Sequence, residues 1–189
     1  RVLFRSFITG HTGFKGSWTT LWLKKMGADV KGYSLKPNTT PSLYNILELE
    51  NDILSEFGDI CDIDILTKSI QKFKPEIIFH MAAQPLVRES YVDPIKTYQT
   101  NVMGTLNLFE AIRKTDSVKA VVNITSDKCY QNHERTEGYK EHEPMGGYDP
   151  YSNSKGCAEL ITSSYRSSFF NNNNSSRSEE HTSELQSPD

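Results

Sequence analysis

Cysteine is scarce in this chain of 189 residues, with three at Cys61, Cys129 and Cys157. An odd number without metal-ligand spacing excludes a disulfide framework and a structural zinc site. It reads as free thiols in a reducing, cytoplasmic setting. Long apolar runs are also missing, and a mean hydropathy of −0.56 excludes a transmembrane helix. No basic segment followed by an apolar stretch marks an export signal. Charge of one sign is not in excess: 21 Lys and Arg stand against 24 Asp and Glu, a net charge of −3. That excludes the basic footprint of a nucleic-acid binder. What is present, 36% hydrophobic residues, suffices for the core of one domain.

The two ends differ from the middle. Residues 171–189 carry four consecutive Asn and a single Leu, too little apolar surface for a buried face, so disorder is expected there. Arg177 to Ser187 reads as the translation of a sequencing-library adapter. Arg1 to Ser6 reads as the reverse strand of the same adapter. Both ends are set aside as scars, leaving 7–170 as the natural sequence, cut from something longer.

Within 7–170 strands and helices alternate. Phe7 to Thr9 is a short β-rich run. Phe14 to Met26 follows with apolar side chains at Trp18, Leu21, Trp22 and Met26, a helical spacing that assigns both tryptophans to the core, and Gly27 ends it. Asp29 to Leu35 is a second strand, Leu43 to Leu54 a region with a short helix, and Phe57 to Ile60 a third strand. Ile63 to Phe73 is an amphipathic helix and Glu76 to His80 a compact strand, with His80 read as a satisfied core histidine. Asp93 and Pro94 open a long helix to Lys114. Val118 to Thr125 is a buried strand, Asp127 to Asp149 a polar loop, and Pro150 to Phe170 a last helix with Ala158, Ile161, Tyr165 and Phe169 on one side. Short apolar strands alternating with helices predict a doubly wound, Rossmann-like parallel sheet.

Between the first strand and the first helix lies Gly10-His11-Thr12-Gly13-Phe14-Lys15-Gly16. At that turn the glycines have separate tasks. Gly10 permits the tight turn, Gly13 admits a pyrophosphate to the backbone, and Gly16 lets the helix lie close to the sheet. The helix N-terminus adds unpaired donors. Lys15 is either a further positive charge on the phosphates or a solvated lysine. The end of the second strand, Gly32 to Lys36, lacks the acid that usually holds the adenosine ribose, so NAD and NADP both remain open.

Tyr151 and Lys155, four apart at the start of the last helix, share one face. An ammonium beside a phenol favours phenolate, so Tyr151 is expected to accept a proton near neutrality. Ser126, just past the preceding strand, lies where open α/β sheets bind ligands and can orient an alcohol.

Together these residues resemble the extended short-chain dehydrogenase/reductases. Further motifs carry the likeness: Asp59 to Asp62, His80 to Gln84, and Asn101 to Thr105. The resemblance implies that Asp62 and Ile63 sit at the adenine and that Ala82, Ala83 and Gln84 line the cofactor. Lys155 would hold the nicotinamide ribose, with Tyr151 beside it, and Asn101 would stabilise the active-site helix and a relay water. Gly10 to Trp18, Thr125 to Tyr130 and Met145 to Ser152 narrow the likeness to the nucleotide-sugar 4,6-dehydratases, with NAD as regenerated cofactor and CDP-glucose as substrate. In the dTDP-glucose members an Asp-Glu pair serves the elimination of water. The matching positions here are Asp127, which suits the acid, and Lys128, which departs from the pattern. Lys128 is a base if neutral, or a stabiliser of the enolate or of the Asp127 carboxylate if charged. The resemblance further implies a C-terminal substrate domain beyond 170, without which the chain is expected to be inactive, and a homodimer built on the two long helices. A 4-epimerase or reductase of the same fold and a non-catalytic cofactor sensor are the competing readings.

Overall fold

A computed structural model describes residues 3–170 and, for its backbone, 178–182. In chain order the elements are β1 (Arg5–Thr9), α1 (Phe14–Lys25), β2 (Asp29–Ser34), α2 (Leu43–Ile46), β3 (Leu54–Phe57), α3 (Ile63–Phe73) and β4 (Ile77–His80). They continue with α4 (Val87–Val92), α5 (Pro94–Tyr98), α6 (Gly104–Arg113), β5 (Ala120–Ile124), α7 (Pro150–Tyr165) and β6 (Ser178–Thr182). All strand pairs are parallel, in the order β3-β2-β1-β4-β5-β6, so the expected doubly wound sheet is what forms. Among the described residues no helix is long and apolar enough to cross a membrane.

Local chemistry explains where the helices start. Asp62, Asp93 and Asp149 accept hydrogen bonds from Ile65, Lys96 and Ser152 at the first turns of α3, α5 and α7, and Pro follows directly at 94 and 150. The larger part of the core lies between the sheet and α3, α6 and α7, where Phe7, Leu66, Ile70, Ile78, Phe109 and Val121 are buried together. A smaller cluster of Ile8, Leu23, Ala28 and Val30 seats α1 on the other face.

Four expectations are corrected. Trp18 and Trp22 are not core: they are 50% and 66% exposed, in a row with exposed Phe14 and Met26. The face of α1 that meets the sheet is instead Gly16, Ser17, Thr20 and Leu23. A Cβ on Gly16 would stand 2.1 Å from the Gly10 carbonyl oxygen, so the helix comes too near the sheet for an indole to fit between. The third strand lies at Leu54–Phe57 rather than 57–60, because pairing of Lys31 with Leu54 through Ser34 with Phe57 fixes its register. The long helix from Pro94 carries a π-helical turn at Gln99–Met103, and α4 precedes it unannounced by any strong pattern. Finally, Ser178–Thr182, inside the stretch expected to be disordered, pairs with β5. A strand edge offers unpaired N–H and C=O groups that any extended backbone can satisfy, whatever its side chains. Residues 1–2, 171–177 and 183–189 lie outside the described residues.

β1 also extends further back than expected, through Arg5 and Ser6, which carries two residues of the suspected scar into the central strand. Ser6 is fully buried and its hydroxyl has no hydrogen-bond partner. A buried orphan hydroxyl costs about 1–3 kcal/mol, and β-branched apolar residues suit a central strand better. Ser6→Val is therefore expected to raise the unfolding free energy of the chain by about 1 kcal/mol, read from the denaturant midpoint. A loss of stability would show that the hydroxyl is satisfied.

Candidate active site

The strand order reverses between β1 and β4, and a crevice opens there beyond the C-terminal ends of the strands. The glycine turn forms one wall. Gly10 sits at φ +77, and a Cβ there would stand 2.7 Å from the Ala82 nitrogen, so the end of β1 and the segment after β4 touch backbone to backbone. Gly13 caps α1 with no side-chain hydrogen bond, and the first turn carries no acid. The N-terminus of α1 therefore points its positive dipole out of the turn, a cradle that fits a pyrophosphate. Thr12 does not reach into the cradle. Its hydroxyl donates to the Leu35 carbonyl at 2.9 Å and meets Ser34 at 2.9 Å, closing the loop onto the end of β2. Lys36, the cation near that end, lies over the Phe57 ring at 5.8 Å.

The second wall is the stretch after β4. Ala82, Ala83 and Gln84 are half-buried. Asn101, buried at the π-helical turn, accepts from the Gln84 N–H at 2.8 Å. It also donates to the Gln84 carbonyl at 3.1 Å and to the Ser154 hydroxyl at 2.9 Å. Ser154 in turn donates to the Tyr151 carbonyl at 2.6 Å. One amide thus ties the loop after β4 to the first turn of α7. Tyr98 adds a second tie by donating to Asn153 at 2.9 Å. Asp62 and Ile63 start α3 at the far end of the crevice, where Asp62 is exposed and spends one oxygen on capping.

The third group comes from β5 and α7. Tyr151 and Lys155 are both buried. The Tyr151 phenol lies beside Ser126, whose hydroxyl donates to Asp127 at 3.1 Å. Asp127 is half-buried and Lys128 exposed. The expected lowering of the phenol pKa does not appear in the protein without its ligands. Burial pushes it above the ordinary tyrosine value, opposed by the neighbouring Ser126 hydroxyl. Burial likewise lowers Lys155 to about 8, and its ammonium donates to the Ile124 carbonyl at 3.4 Å.

The sequence-predicted residues lie in the segments after the C-terminal ends of β1, β3, β4 and β5 and on the helices that follow, with two differences. His11 turns its ring away from the cradle, and Lys128 stands at the surface. Residues that pattern alone did not single out are Ser154, Thr125 and Glu159. The Thr125 hydroxyl donates to the Glu159 carboxylate. Glu159 continues the four-residue spacing of Tyr151 and Lys155 by one more turn, which is the signal that would have found it.

Known proteins share this arrangement. The family model described as GDP-mannose 4,6 dehydratase matches residues 7–189. CDP-glucose 4,6-dehydratase of Salmonella typhimurium is 64% identical over 167 residues, which is 88% of this chain and 46% of that protein. UDP-glucose 4-epimerase of Mycolicibacterium smegmatis is 35% identical over 164 residues, 86% of this chain and 51% of its own length. Among solved structures, the Thermus thermophilus UDP-glucose 4-epimerase complex with NAD superposes with a TM-score of 0.77 at 27% identity, over 87% of this chain and 51% of that one. The chain spans about half the length of the curated relatives it matches.

Two histidines brace the crevice from below. His80 is buried between Thr9, at 2.7 Å from Nδ1, and Thr105, at 3.1 Å from Nε2. Thr105 donates to the Asn101 carbonyl, so it accepts from Nε2–H, and Thr9 supplies the proton to Nδ1. His11 is buried against Gly32, whose added Cβ would stand 2.2 Å from its ring, and it bonds Ser55 at 2.8 Å. Burial lowers His11 to about 4 and His80 to about 3. Both folded values lie below the unfolded one, so their contribution to stability is full above about pH 6.5 and is lost as pH falls toward 4. Denaturant midpoints measured from pH 7 downward are expected to fall through this window, less steeply in His80→Gln. An equal slope in both would exclude His80 as a source of the acid lability.

Proposed function

The chain belongs to the GDP-mannose 4,6 dehydratase family, and we propose that it is the cofactor-binding and catalytic half of an NAD-dependent nucleotide-sugar 4,6-dehydratase acting on CDP-glucose. The observation that carries this reading is the buried Tyr151–Lys155 pair on α7, with Ser126 and Asp127 after β5 beside the phenol. The 64% identity to a CDP-glucose 4,6-dehydratase, against 35% to a 4-epimerase, supports dehydration over epimerisation and supports CDP as the nucleotide. NAD is supported by the fit of the cradle and by two 4-epimerase structures, 27% and 28% identical, that are described as NAD complexes.

NAD, held by the glycine turn and Lys155, would supply the acceptor for a hydride taken from carbon 4 and the donor of the one added at carbon 6. The chain's residues handle the protons. Ser126 orients the 4-hydroxyl, and Tyr151 removes its proton once positive charge gathers beside the buried phenol. Lys155 contributes that charge and holds the nicotinamide ribose. The 4-ketone acidifies the hydrogen on carbon 5. Asp127 then gives a proton to the hydroxyl leaving carbon 6. Lys128, exposed at the turn after β5, is assigned to carbon 5 by its match to the dTDP-glucose members, as base when neutral or as a charge that stabilises the enolate. Asn101 holds the start of α7 against Gln84, so Tyr151 keeps its place relative to Ala82 and Ala83. Asp62 and Ile63 receive the adenine, and Gly10 to Gly16 the pyrophosphate. Neither Asp127 nor a partner for it is needed in an epimerase, which has no water to eliminate.

With CDP-glucose and NAD, the whole protein is expected to yield a 4-keto-6-deoxy sugar, seen by its absorbance in alkali and by mass. Tyr151→Phe is expected to lower kcat about 10²–10⁴-fold with NAD binding nearly intact, and Asp127→Asn to stall after oxidation. Formation of UDP-galactose from UDP-glucose instead would establish the epimerase reading. NAD binding without turnover in the parent would point to a sensor, and unchanged turnover in Tyr151→Phe would remove the phenol from the reaction.

The whole protein is further proposed to dimerise through α5, α6 and α7. Ile95 on α5, Met103 on the π-helical turn before α6 and Leu160 on α7 are 70%, 47% and 61% exposed, an apolar surface that a second copy would cover. Sedimentation is expected to give twice the monomer mass, and Leu160→Glu to halve it.

A further inference from the structure

Glu159 has no task in the reaction as described, yet three observations converge on it. It follows Tyr151 and Lys155 at the same spacing, so the three share one face of α7. Its carboxylate accepts the hydroxyl of Thr125, a buried residue that ends the approach of β5 to Ser126. And Lys155, only 7% exposed, has the Ile124 carbonyl at 3.4 Å as the hydrogen bond given for its ammonium. A buried cation held by one long neutral bond needs a nearby negative charge. The charged and titratable groups around it are Glu159 and Tyr151 on α7, Lys15 from α1, Cys129 from the turn after β5, and His80 from β4. Lys15 is repulsive, and burial holds Cys129 as a thiol and His80 neutral. Asp127 and Asp149 bear on Tyr151 rather than on the amine. Glu159 is thus the compensating carboxylate.

We propose that Glu159 is a positioning residue, fixing the end of β5 through Thr125 and keeping Lys155 charged, so that Ser126 and Lys155 are both set for Tyr151. The proposal rests on the catalytic reading of Tyr151 and Lys155 only for its effect on turnover. The charge on Lys155 can be measured without any reaction.

Burial lowers Lys155 to about 8 while Glu159 raises it. The folded value lies below the unfolded one, so stability rises as pH climbs through the folded pKa toward that of a free lysine. Glu159→Gln keeps the size and an acceptor for Thr125 but removes the charge. Thr125→Val removes the hydroxyl and keeps the charge. In the whole protein without ligands, denaturant midpoints are compared from about pH 6 to 10. In Glu159→Gln the rise is expected to start about one pH unit lower. Its deficit against the parent should be largest near pH 6 and close at the alkaline end. In Thr125→Val the deficit should not change with pH. In a Lys155→Met background the pH-dependent part of the Glu159→Gln effect should vanish. With substrate, the basic limb of kcat/KM should move to lower pH by the same unit in Glu159→Gln. A Glu159→Gln deficit that is constant with pH, or one that survives Lys155→Met with its pH dependence intact, overturns the proposal. Absence of any turnover of CDP-glucose by the parent would fail the dehydratase reading, while the stability series would still decide on Glu159.

Discussion

Backbone packed directly on backbone is the constraint from which the site follows. The carbonyl of Gly10 leaves no room for a side chain on Gly16, and the segment after β4 leaves none on Gly10. Such contact brings the N-terminus of α1, with its positive dipole, to the point where the sheet reverses. The same closeness dictates the rest of α1. At the end of α1 nearest the glycine turn the inner face holds the small residues Gly16, Ser17 and Thr20, and the bulky aromatic residues are turned outward.

Around that cradle the protein uses neutral, fully paired groups wherever geometry must be held. Thr9, His80, Thr105 and Asn101 form a continuous chain of hydrogen bonds from the end of β1 to the π-helical turn. Asn101 carries it on to Ser154 and the first turn of α7. None of these groups needs a charge to do its work, and burial keeps both histidines neutral. A buried charge stands where chemistry is proposed, with Lys155 between α7 and the end of β5. A low local dielectric strengthens its field on a reacting group and makes it costly to hold.

Much of this was legible in the sequence, for reasons that can be traced. The alternation of elements and the bounds of α3 were clear because apolar spacing, an Asp cap and flanking breakers agreed. The glycine turn and the Tyr151–Lys155 pair were clear because their chemistry demands a residue type at a fixed separation. Trp18 and Trp22 were misassigned because hydropathy does not register how close a helix lies to its sheet. β3 was displaced because the residues of an edge strand, Leu54 to Phe57, lack a continuous apolar run, and only pairing with β2 sets its place. The role of Thr125 was hidden because it depends on a residue 34 positions away. Phenol acidity was misjudged for a different reason: helical spacing brings a lysine near without stating how deeply both groups are buried.

The π-helical turn at Gln99–Met103 fixes more than the aim of Asn101. Such a turn holds one residue beyond the ordinary helical count. It therefore offsets the outward-facing side chains of α5 from those of α6, while both remain on one nearly continuous rod. Shortening the rod by a residue would convert the turn to regular helix and swing the amide away from Gln84. Lengthening it elsewhere would leave the amide alone but rotate the surface of α6. Chain length between Pro94 and Arg113 is consequently a shared quantity of the crevice and of the outer face, and neither can drift by insertion or deletion without disturbing the other.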